Sequence, residues 1–245
     1  MIIYLFRHGE TTYQQDRVLL DHASDLTPKG IETVRESAND LATQLDTLVQ
    51  QASTPIRIHS SPFGRCLHTA KVIQDILSKR GFKVQDIAQD ELLAEVENWN
   101  WELFFPLVTG TEIEYEGSRL EVNKELTNPK NLSLISYFRA DAVHKLSDEA
   151  KRSLPKEYLE KIAQFERSTS VTDRLRQKLE LLDWDKKEVS ILTTHEGLTG
   201  DLVQQLSSRN DAFLDRGKYF GVRKESGILL PYHCQADAIN YENSN

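Results

Sequence analysis

Three short polar clusters in this chain carry histidine and arginine, the residue types that attack and bind phosphate. The first is Arg-His-Gly-Glu at 7–10, the second spans 60–65 and ends in arginine, and the third is Thr-His-Glu-Gly at 194–197. Guanidinium groups stay charged and pair with two phosphate oxygens at once. Imidazole can attack phosphorus to form a phosphohistidine, or donate a hydrogen bond to a phosphoryl oxygen. These residue types predict an anion site with a histidine nucleophile.

Each cluster follows a short apolar run that predicts a buried strand. The runs are Ile2–Phe6, Ile56–His59 and Val189–Thr193. Because open α/β sheets bind ligands at the carboxyl ends of their strands, one site can gather all three clusters. Nearby arginines would lower the pKa of His8 and keep this imidazole neutral and nucleophilic near pH 7.

Helices alternate with these strands, which predicts an α/β fold with a mainly parallel central sheet flanked by helices. Thr27-Pro28 supplies an N-cap and a first helical residue, and Ser61-Pro62 begins a second helix that stops before Gly81. Two further helices are predicted at Val171–Leu182 and Leu198–Leu206. Three further strands are predicted at Lys83–Ile87, Tyr219–Val222 and Gly227–Leu230.

Composition limits the classes of partner and location. Thirty Lys and Arg against thirty-eight Asp and Glu give a net charge of −8, which argues against a nucleic-acid surface. No apolar run approaches the ~18 residues of a membrane span, and Ile2–Phe6 is too short for a secretory signal. Cys66 and Cys234 fit neither a disulfide framework nor a thiol metal site. We therefore expect a cytoplasmic protein without membrane or nucleic-acid partners; its oligomeric state stays open.

The clusters together resemble the histidine phosphatase superfamily, which includes cofactor-dependent phosphoglycerate mutase and fructose-2,6-bisphosphatase. Arg-His-Gly-Glu-Thr at 7–11 resembles its opening signature, and residues 25–30 are similar to its leucine-threonine-glycine turn. Residues 61–70 resemble its serine-proline, arginine and threonine-alanine block. His-Glu-Gly at 195–197 resembles its second histidine. The four matches occur in the family's order.

The resemblance implies a role for each residue and a metal-independent reaction without a cofactor. His8 would be the phosphorylated nucleophile, while Arg7, Arg65 and His195 would hold the phosphoryl oxygens of a small phosphorylated substrate. His195 would also belong to the catalytic set. Glu95, in a leucine-x-glutamate segment, would be the general acid. The implied fold is phosphoglycerate mutase-like, one domain over residues 1–245.

Departures from the family pattern leave the substrate open. Gln14 stands where members usually have asparagine, and we predict that it contacts the phosphate. Trp99 and Leu103 replace two glycines after the acid. Residues 98–170 lack a strand rhythm and are predicted to be a cap insertion. The acid itself has three neighbouring alternatives: Glu91, Glu97 and Glu102.

Phosphomonoester hydrolysis is therefore the favoured reaction, with two alternatives. A phosphoglycerate mutase would return the phosphoryl group to a second hydroxyl, but the basic and tyrosine residues that follow the acid in those enzymes have no match here. A phospho-ligand binding protein with weak turnover is the other. The chain offers no zinc-protease helix, because Thr199 replaces its second histidine. We expect Glu10 and Glu196 to order loops or a neighbouring histidine, and both cysteines to be inert packing residues.

Overall fold

The computed structural model describes the parts of the chain on which the fold and the site depend. These are residues 1–11, 25–48, 54–95, 113–115, 118–120, 152, 156, 160, 168–207, 212–235 and 239–241. The chain divides into two compact units, Met1–Glu95 with Thr172–Asn245, and Val96–Val171. All three polar clusters belong to the first unit. A cap role for residues 98–170 stays a prediction, since most of them lie outside the described residues.

A six-stranded sheet forms the centre of the first unit. Its strands in spatial order are β3 (Ala88–Gln89), β2 (Ile56–Ser60), β6 (Val189–Thr194), β1 (Ile2–Arg7), β8 (Tyr219–Glu225) and β9 (Ile228–Cys234). The first four run parallel, while β8 pairs antiparallel with both β1 and β9. The predicted α/β fold with a mainly parallel sheet is confirmed. Two short antiparallel pairs join β4 (Ile113–Tyr115) with β5 (Ser118–Leu120), and β7 (Ala212–Leu214) with β10 (Ile239–Tyr241).

Four α-helices are described, and each matches a predicted helix within a few residues. They are α1 (Pro28–Leu48), α2 (Gly64–Lys79), α3 (Ser168–Leu181) and α4 (Glu196–Ser207). The predicted N-cap is confirmed, because Oγ1 of Thr27 accepts a hydrogen bond from the Gly30 amide at 2.9 Å. Among the described residues, no helix has the length and apolar character needed to cross a bilayer.

The third predicted strand, Lys83–Ile87, is wrong in its boundaries. Val84 forms only an isolated bridge to Ile56, and β3 begins later, where Ala88 pairs with His59. Between these two contacts the edge segment advances four residues while β2 advances three. The extra residue interrupts the hydrogen-bond ladder between the two strands. A hydrophobic pattern in the sequence does not reveal such a bulge.

The apolar core fixes the strand ends that carry the polar clusters. Residues 3–6 of β1 are fully buried, as expected for a strand covered on both faces. α1 contributes Leu41 and Leu45 to this core, and α2 contributes Ile73 and Leu77. The spacing of four residues within each pair places both of its members on one face of the helix. Burial therefore sets the position of α2, whose first turn enters the site.

Candidate active site

The carboxyl ends of β1, β2 and β6 meet, and their loops run side by side. The His8 amide donates to the Thr194 carbonyl, and the Ser61 amide donates to the Thr193 carbonyl, both at 3.0 Å. Parallel register thus continues one residue beyond the strands. The three polar clusters reach a single place in the fold.

His8 is buried, and its environment fixes which nitrogen carries the proton. Nδ1 lies 2.8 Å from the Gly9 carbonyl, which can only accept, so Nδ1 is protonated and donates. Nε2 then keeps its lone pair. Burial lowers the pKa of His8 well below 6.5, and the positive charges of Arg65 and Arg7 lower it further. The side chain is therefore a neutral imidazole with an unprotonated Nε2 at pH 7.

Arg65 lies in the first turn of α2 and is only 1% exposed. Its guanidinium carbon lies 4.7 Å from the centre of the Phe63 ring, and Nη2 donates to Nδ1 of His195 at 3.0 Å. Nε and Nη1 are buried, and neither has a hydrogen-bond partner within the described ranges. Buried guanidinium donors of this kind call for an anionic acceptor.

Arg7 ends β1 and is also buried. Its Nη1 donates to the Leu214 carbonyl at 2.8 Å, which orients the guanidinium group. Because both arginines lower the pKa of His8, the two charges act on the same imidazole. The site therefore combines two guanidinium groups with a neutral histidine.

His195 is fully buried between α2 and β6. Its Nε2 lies 2.9 Å from Oγ of Ser61, and its ring centre lies 5.2 Å from that of His8. Burial lowers the pKa of His195 well below 6.5, and the charge of Arg65 lowers it further. Both histidines are consequently neutral at pH 7.

Glu95 brings a carboxylate to the same cluster. Its Oε2 lies 3.4 Å from Nδ1 of His195 and 3.8 Å from Nη2 of Arg65, and the side chain is 13% exposed. Glu91, one of the alternative acids, is exposed to solvent. The structure thus brings together His8, Arg7, Arg65, His195 and Glu95. Gln14, Glu97 and Glu102 lie outside the described residues.

The family model of the histidine phosphatase superfamily (branch 1) matches residues 3–123, which hold the first histidine, Arg65 and Glu95. The chain belongs to this superfamily. The recognition made from the sequence motifs is confirmed. No curated protein matches this histidine phosphatase superfamily member in sequence.

Solved structures agree with this assignment at the level of the fold. A phosphoglycerate mutase from Bacillus anthracis aligns with a TM-score of 0.61 and 16% identity, covering 95% of this chain and 92% of that one. An alpha-ribazole phosphatase from Shigella flexneri aligns with a TM-score of 0.56 and 19% identity, covering 99% of this chain and 100% of that one. A phosphoserine phosphatase from Entamoeba histolytica aligns with a TM-score of 0.55 and 16% identity, covering 99% of this chain and 96% of that one. The phosphoglycerate mutase-like fold is thereby confirmed.

Several residues around this superfamily site escaped prediction from the sequence. Ser61 and Thr69 lie inside the recognised block at 61–70, but the sequence does not show which groups they bind. Oγ1 of Thr69 accepts from the Gly9 amide at 3.2 Å and donates to the Arg65 carbonyl at 2.8 Å. Thr69 therefore links the loop of the first histidine to the helix that carries the arginine.

The turn between β7 and β8 also escaped prediction. The Gly217 amide donates to the carbonyls of Arg7 and His8 at 3.1 and 3.0 Å, and Gly217 has a φ of +71°, which favours glycine. The adjacent Arg216 adds a further positive charge that lowers the pKa of His8. Arg216 stands outside any motif that we recognised.

The leucine-threonine-glycine turn has a steric reason. A Cβ atom added to Gly30 would lie 2.2 Å from the Glu10 carbonyl oxygen, so only glycine lets α1 approach the loop. Glu10 contacts this turn through its carboxylate, which accepts from Oγ1 of Thr27 at 3.2 Å. The prediction that Glu10 orders a loop is confirmed. The side chain of Glu196 lies outside what the structure describes.

Cys66 is buried, as predicted, whereas Cys234 is exposed, so the predicted packing role is wrong for Cys234. Cys66 is also part of the surroundings of the second histidine. Its Sγ lies 3.3 Å from Nε2 of His195. Burial raises the pKa of this thiol to about 12, so the sulfur stays protonated. In the part of the chain that the structure describes, no three His, Cys, Asp or Glu side chains are grouped as metal ligands.

Proposed function

We propose that the chain is a phosphohydrolase that cleaves phosphomonoesters through a phosphohistidine on His8. One observation carries this proposal: the hydrogen bond from Nδ1 of His8 to the Gly9 carbonyl, which leaves the Nε2 lone pair as the nucleophile. The neighbouring guanidinium groups of Arg7 and Arg65 supply the charge that a phosphoryl group requires.

In the first half-reaction the substrate phosphate binds to Arg7 and Arg65, and the Nε2–H of His195 turns from Oγ of Ser61 to a phosphoryl oxygen. Nε2 of His8 attacks phosphorus in line, and the bond from phosphorus to the ester oxygen breaks. Glu95, which is protonated in the enzyme–substrate complex, donates its proton to that oxygen, so the leaving group departs as an alcohol. The phosphoryl group is now bonded to Nε2, and the guanidinium groups neutralise its charge.

In the second half-reaction water replaces the alcohol. The Glu95 carboxylate accepts a proton from the water as its oxygen attacks phosphorus, and the bond from phosphorus to Nε2 breaks. Inorganic phosphate leaves, Glu95 is protonated again, and His8 regains its lone pair. Positioning and charge neutralisation supply most of the rate enhancement.

The nucleophile is tested by quenching the wild-type protein during turnover of an aryl phosphate. We expect an acid-labile phosphoryl group on His8, and no turnover by His8→Ala. His68→Ala is the matched control, because His68 lies in the same sequence block but pairs with Asp25 on the exposed side of α2. Turnover without labelled His8 contradicts the proposal. Isomerised phosphoglycerate without free phosphate would indicate a mutase instead, and absence of any turnover would indicate a binding protein.

The acid is tested by comparing leaving groups. Glu95→Gln should lower kcat on alkyl phosphates by about 10²–10⁴-fold, the usual contribution of general acid catalysis. It should lower kcat on p-nitrophenyl phosphate far less, because that leaving group barely needs a proton. Glu91→Gln, four residues away on an exposed side chain, is the control and should leave both rates unchanged. Equal losses on the two substrates would contradict the assignment of Glu95.

A further inference from the structure

Helix α3 contacts the segment Asp90–Glu95 through two basic side chains. Arg174 and Lys178 are four residues apart, so they project from the same face of the helix. Arg174 binds the end of the segment that carries the acid, and Lys178 binds its beginning. Neither residue belongs to a motif that we recognised in the sequence.

The guanidinium group of Arg174 donates to three carbonyls. Nη1 lies 3.2 Å from the Glu91 oxygen and 2.9 Å from the Ala94 oxygen, and Nη2 lies 3.4 Å from the Glu95 oxygen. The Glu91 carbonyl begins a short 3-10 helix (Glu91–Leu93) and also accepts from the Ala94 amide at 3.0 Å. The Ala94 and Glu95 carbonyls follow this helix, where backbone acceptors lack helical partners. A planar guanidinium group can satisfy several of them in one fixed geometry.

Lys178 fixes the other end of the segment. Its buried Nζ lies 2.6 Å from Oδ2 of Asp90 and 3.1 Å from Nδ1 of His59. Oδ1 of Asp90 accepts from the Leu92 amide at 3.0 Å, so the same carboxylate caps the 3-10 helix. The middle of the segment is held as well, since Oγ1 of Thr194 donates to the Leu93 carbonyl at 2.9 Å.

Glu95 depends on such support because it is the last residue of the segment Met1–Glu95, where the chain leaves the first compact unit. Its preceding backbone is anchored by buried Leu93 and Ala94. Nη2 of Arg174 donates to the carbonyl of Glu95 itself. A carboxylate that must meet a leaving oxygen depends on this backbone, since a displacement of about 1 Å can cost roughly 10²-fold in rate.

We propose that Arg174 is a positioning residue for Glu95: it binds the backbone on which the acid stands and so sets where the proton is delivered. This inference rests on the proposed function, in which Glu95 protonates the leaving group. Arg174 is not assigned any contact with the substrate. The effect that acts through Glu95 must therefore depend on how much the leaving group needs a proton, whereas the charge that Arg174 places near His195 affects all substrates alike.

The test is Arg174→Met, assayed on an alkyl phosphate and on p-nitrophenyl phosphate. We expect kcat to fall about 10- to 100-fold on the alkyl phosphate and by no more than about 3-fold on the aryl phosphate. The kcat of Arg174→Lys on the alkyl phosphate should lie between those of Arg174→Met and wild type, because lysine keeps the charge but not the planar group. Arg176→Met is the matched control on the same helix, where Arg176 pairs with Asp173 at the exposed surface, and it should change neither rate.

A double variant separates positioning from a general loss of structure. If Arg174 acts through the acid, Arg174→Met should add less than about 3-fold to the alkyl-phosphate loss of Glu95→Gln, because the proton donor is already absent. A general defect would multiply the two losses. The inference is overturned if the two fold-losses multiply in the double variant, or if Arg174→Met lowers kcat equally on both substrates. Either outcome leaves the proposed function intact.

Failure of the proposed function is recognised separately. If wild-type protein hydrolyses neither substrate, the proposed function fails, and amide hydrogen exchange then tests the contact itself. We expect exchange at residues 91–95 to be at least about 10-fold faster in Arg174→Met than in wild type or Arg176→Met. Unchanged exchange at these amides would overturn the role of Arg174 whatever the activity.

Discussion

Oγ of Ser61 lies 2.9 Å from Nε2 of His195 and accepts a hydrogen bond from its N–H. The direction of this hydrogen bond follows from the other side of the ring, where Nη2 of Arg65 lies 3.0 Å from Nδ1. A guanidinium group can only donate, so Nδ1 must be the unprotonated nitrogen. Arg65 thereby sets the tautomer of a fully buried histidine, and Ser61 accepts from the nitrogen that carries the proton.

Replacement of Ser61 by alanine should therefore destabilise the fold. Ser61→Ala leaves a buried N–H of His195 with the weakly accepting sulfur of Cys66 in place of the hydroxyl, which costs about 1–3 kcal/mol in the free energy of unfolding. Ser37→Ala is the matched control: Ser37 is fully buried on α1, and its hydroxyl has no hydrogen-bond partner among the described residues. Ser37→Ala should change the free energy of unfolding by no more than about 0.5 kcal/mol. Equal losses in urea unfolding would refute the assignment of the tautomer.

Stability should depend on pH because His8 and His195 are buried as neutral groups. Burial, first of all, lowers both pKa values well below 6.5, and the charge of Arg65 adds to this. Below about pH 6.5 the unfolded chain takes up protons that the folded chain does not, so the free energy of unfolding falls as pH falls. Each histidine contributes a slope of up to about 1.4 kcal/mol per pH unit between 6.5 and its lower folded pKa.

The slope is measured by urea unfolding at several pH values between 5 and 6.5. His8→Asn and His195→Asn each remove one titrating group and should each reduce the slope. If both variants keep the wild-type slope of the free energy of unfolding against pH, neither histidine has a different pKa in the folded and unfolded chains.

The carboxylate of Glu95 should oppose the binding of phosphate. It lies 3.8 Å from Nη2 of Arg65, a group proposed to bind the anion. Glu95→Gln removes this negative charge and should tighten inorganic phosphate binding about 3- to 10-fold, or roughly 0.7–1.4 kcal/mol. Titration calorimetry measures the Kd without any need for turnover. Glu91→Gln should leave the Kd unchanged, and weaker binding by Glu95→Gln would disprove the electrostatic argument.

Chelators should leave activity unchanged, because the positive charge at the site comes from the guanidinium groups of Arg7 and Arg65. A chelator cannot remove these charges, but Arg65→Met can, and it should lower kcat/KM by at least about 10²-fold. Arg80→Met, at the C-cap of the same helix and paired with Asp46, is the control and should keep full activity. Loss of activity in EDTA that Mg²⁺ or Zn²⁺ restores would contradict a metal-independent reaction.

The sequence alone determined the features that depend on neighbours in the chain. Apolar runs predicted β1, β2 and β6, and Thr27 predicted the start of α1, because burial periodicity and capping are local properties. The motif around each strand end indicated His8, Arg65 and His195. Parallel strands then bring those ends together, so much of the candidate site followed from order along the chain.

Only the tertiary structure decided the features that join distant residues. Arg174 reaches carbonyls about eighty residues earlier in the chain, and Gly217 binds the backbone of Arg7 and His8 across more than two hundred. The tautomers of both histidines, the partner of Ser61 and the bulge before β3 likewise depend on register and packing between elements. A local pattern carries no information on these contacts, because their geometry is set by how the sheet and helices assemble around the buried core.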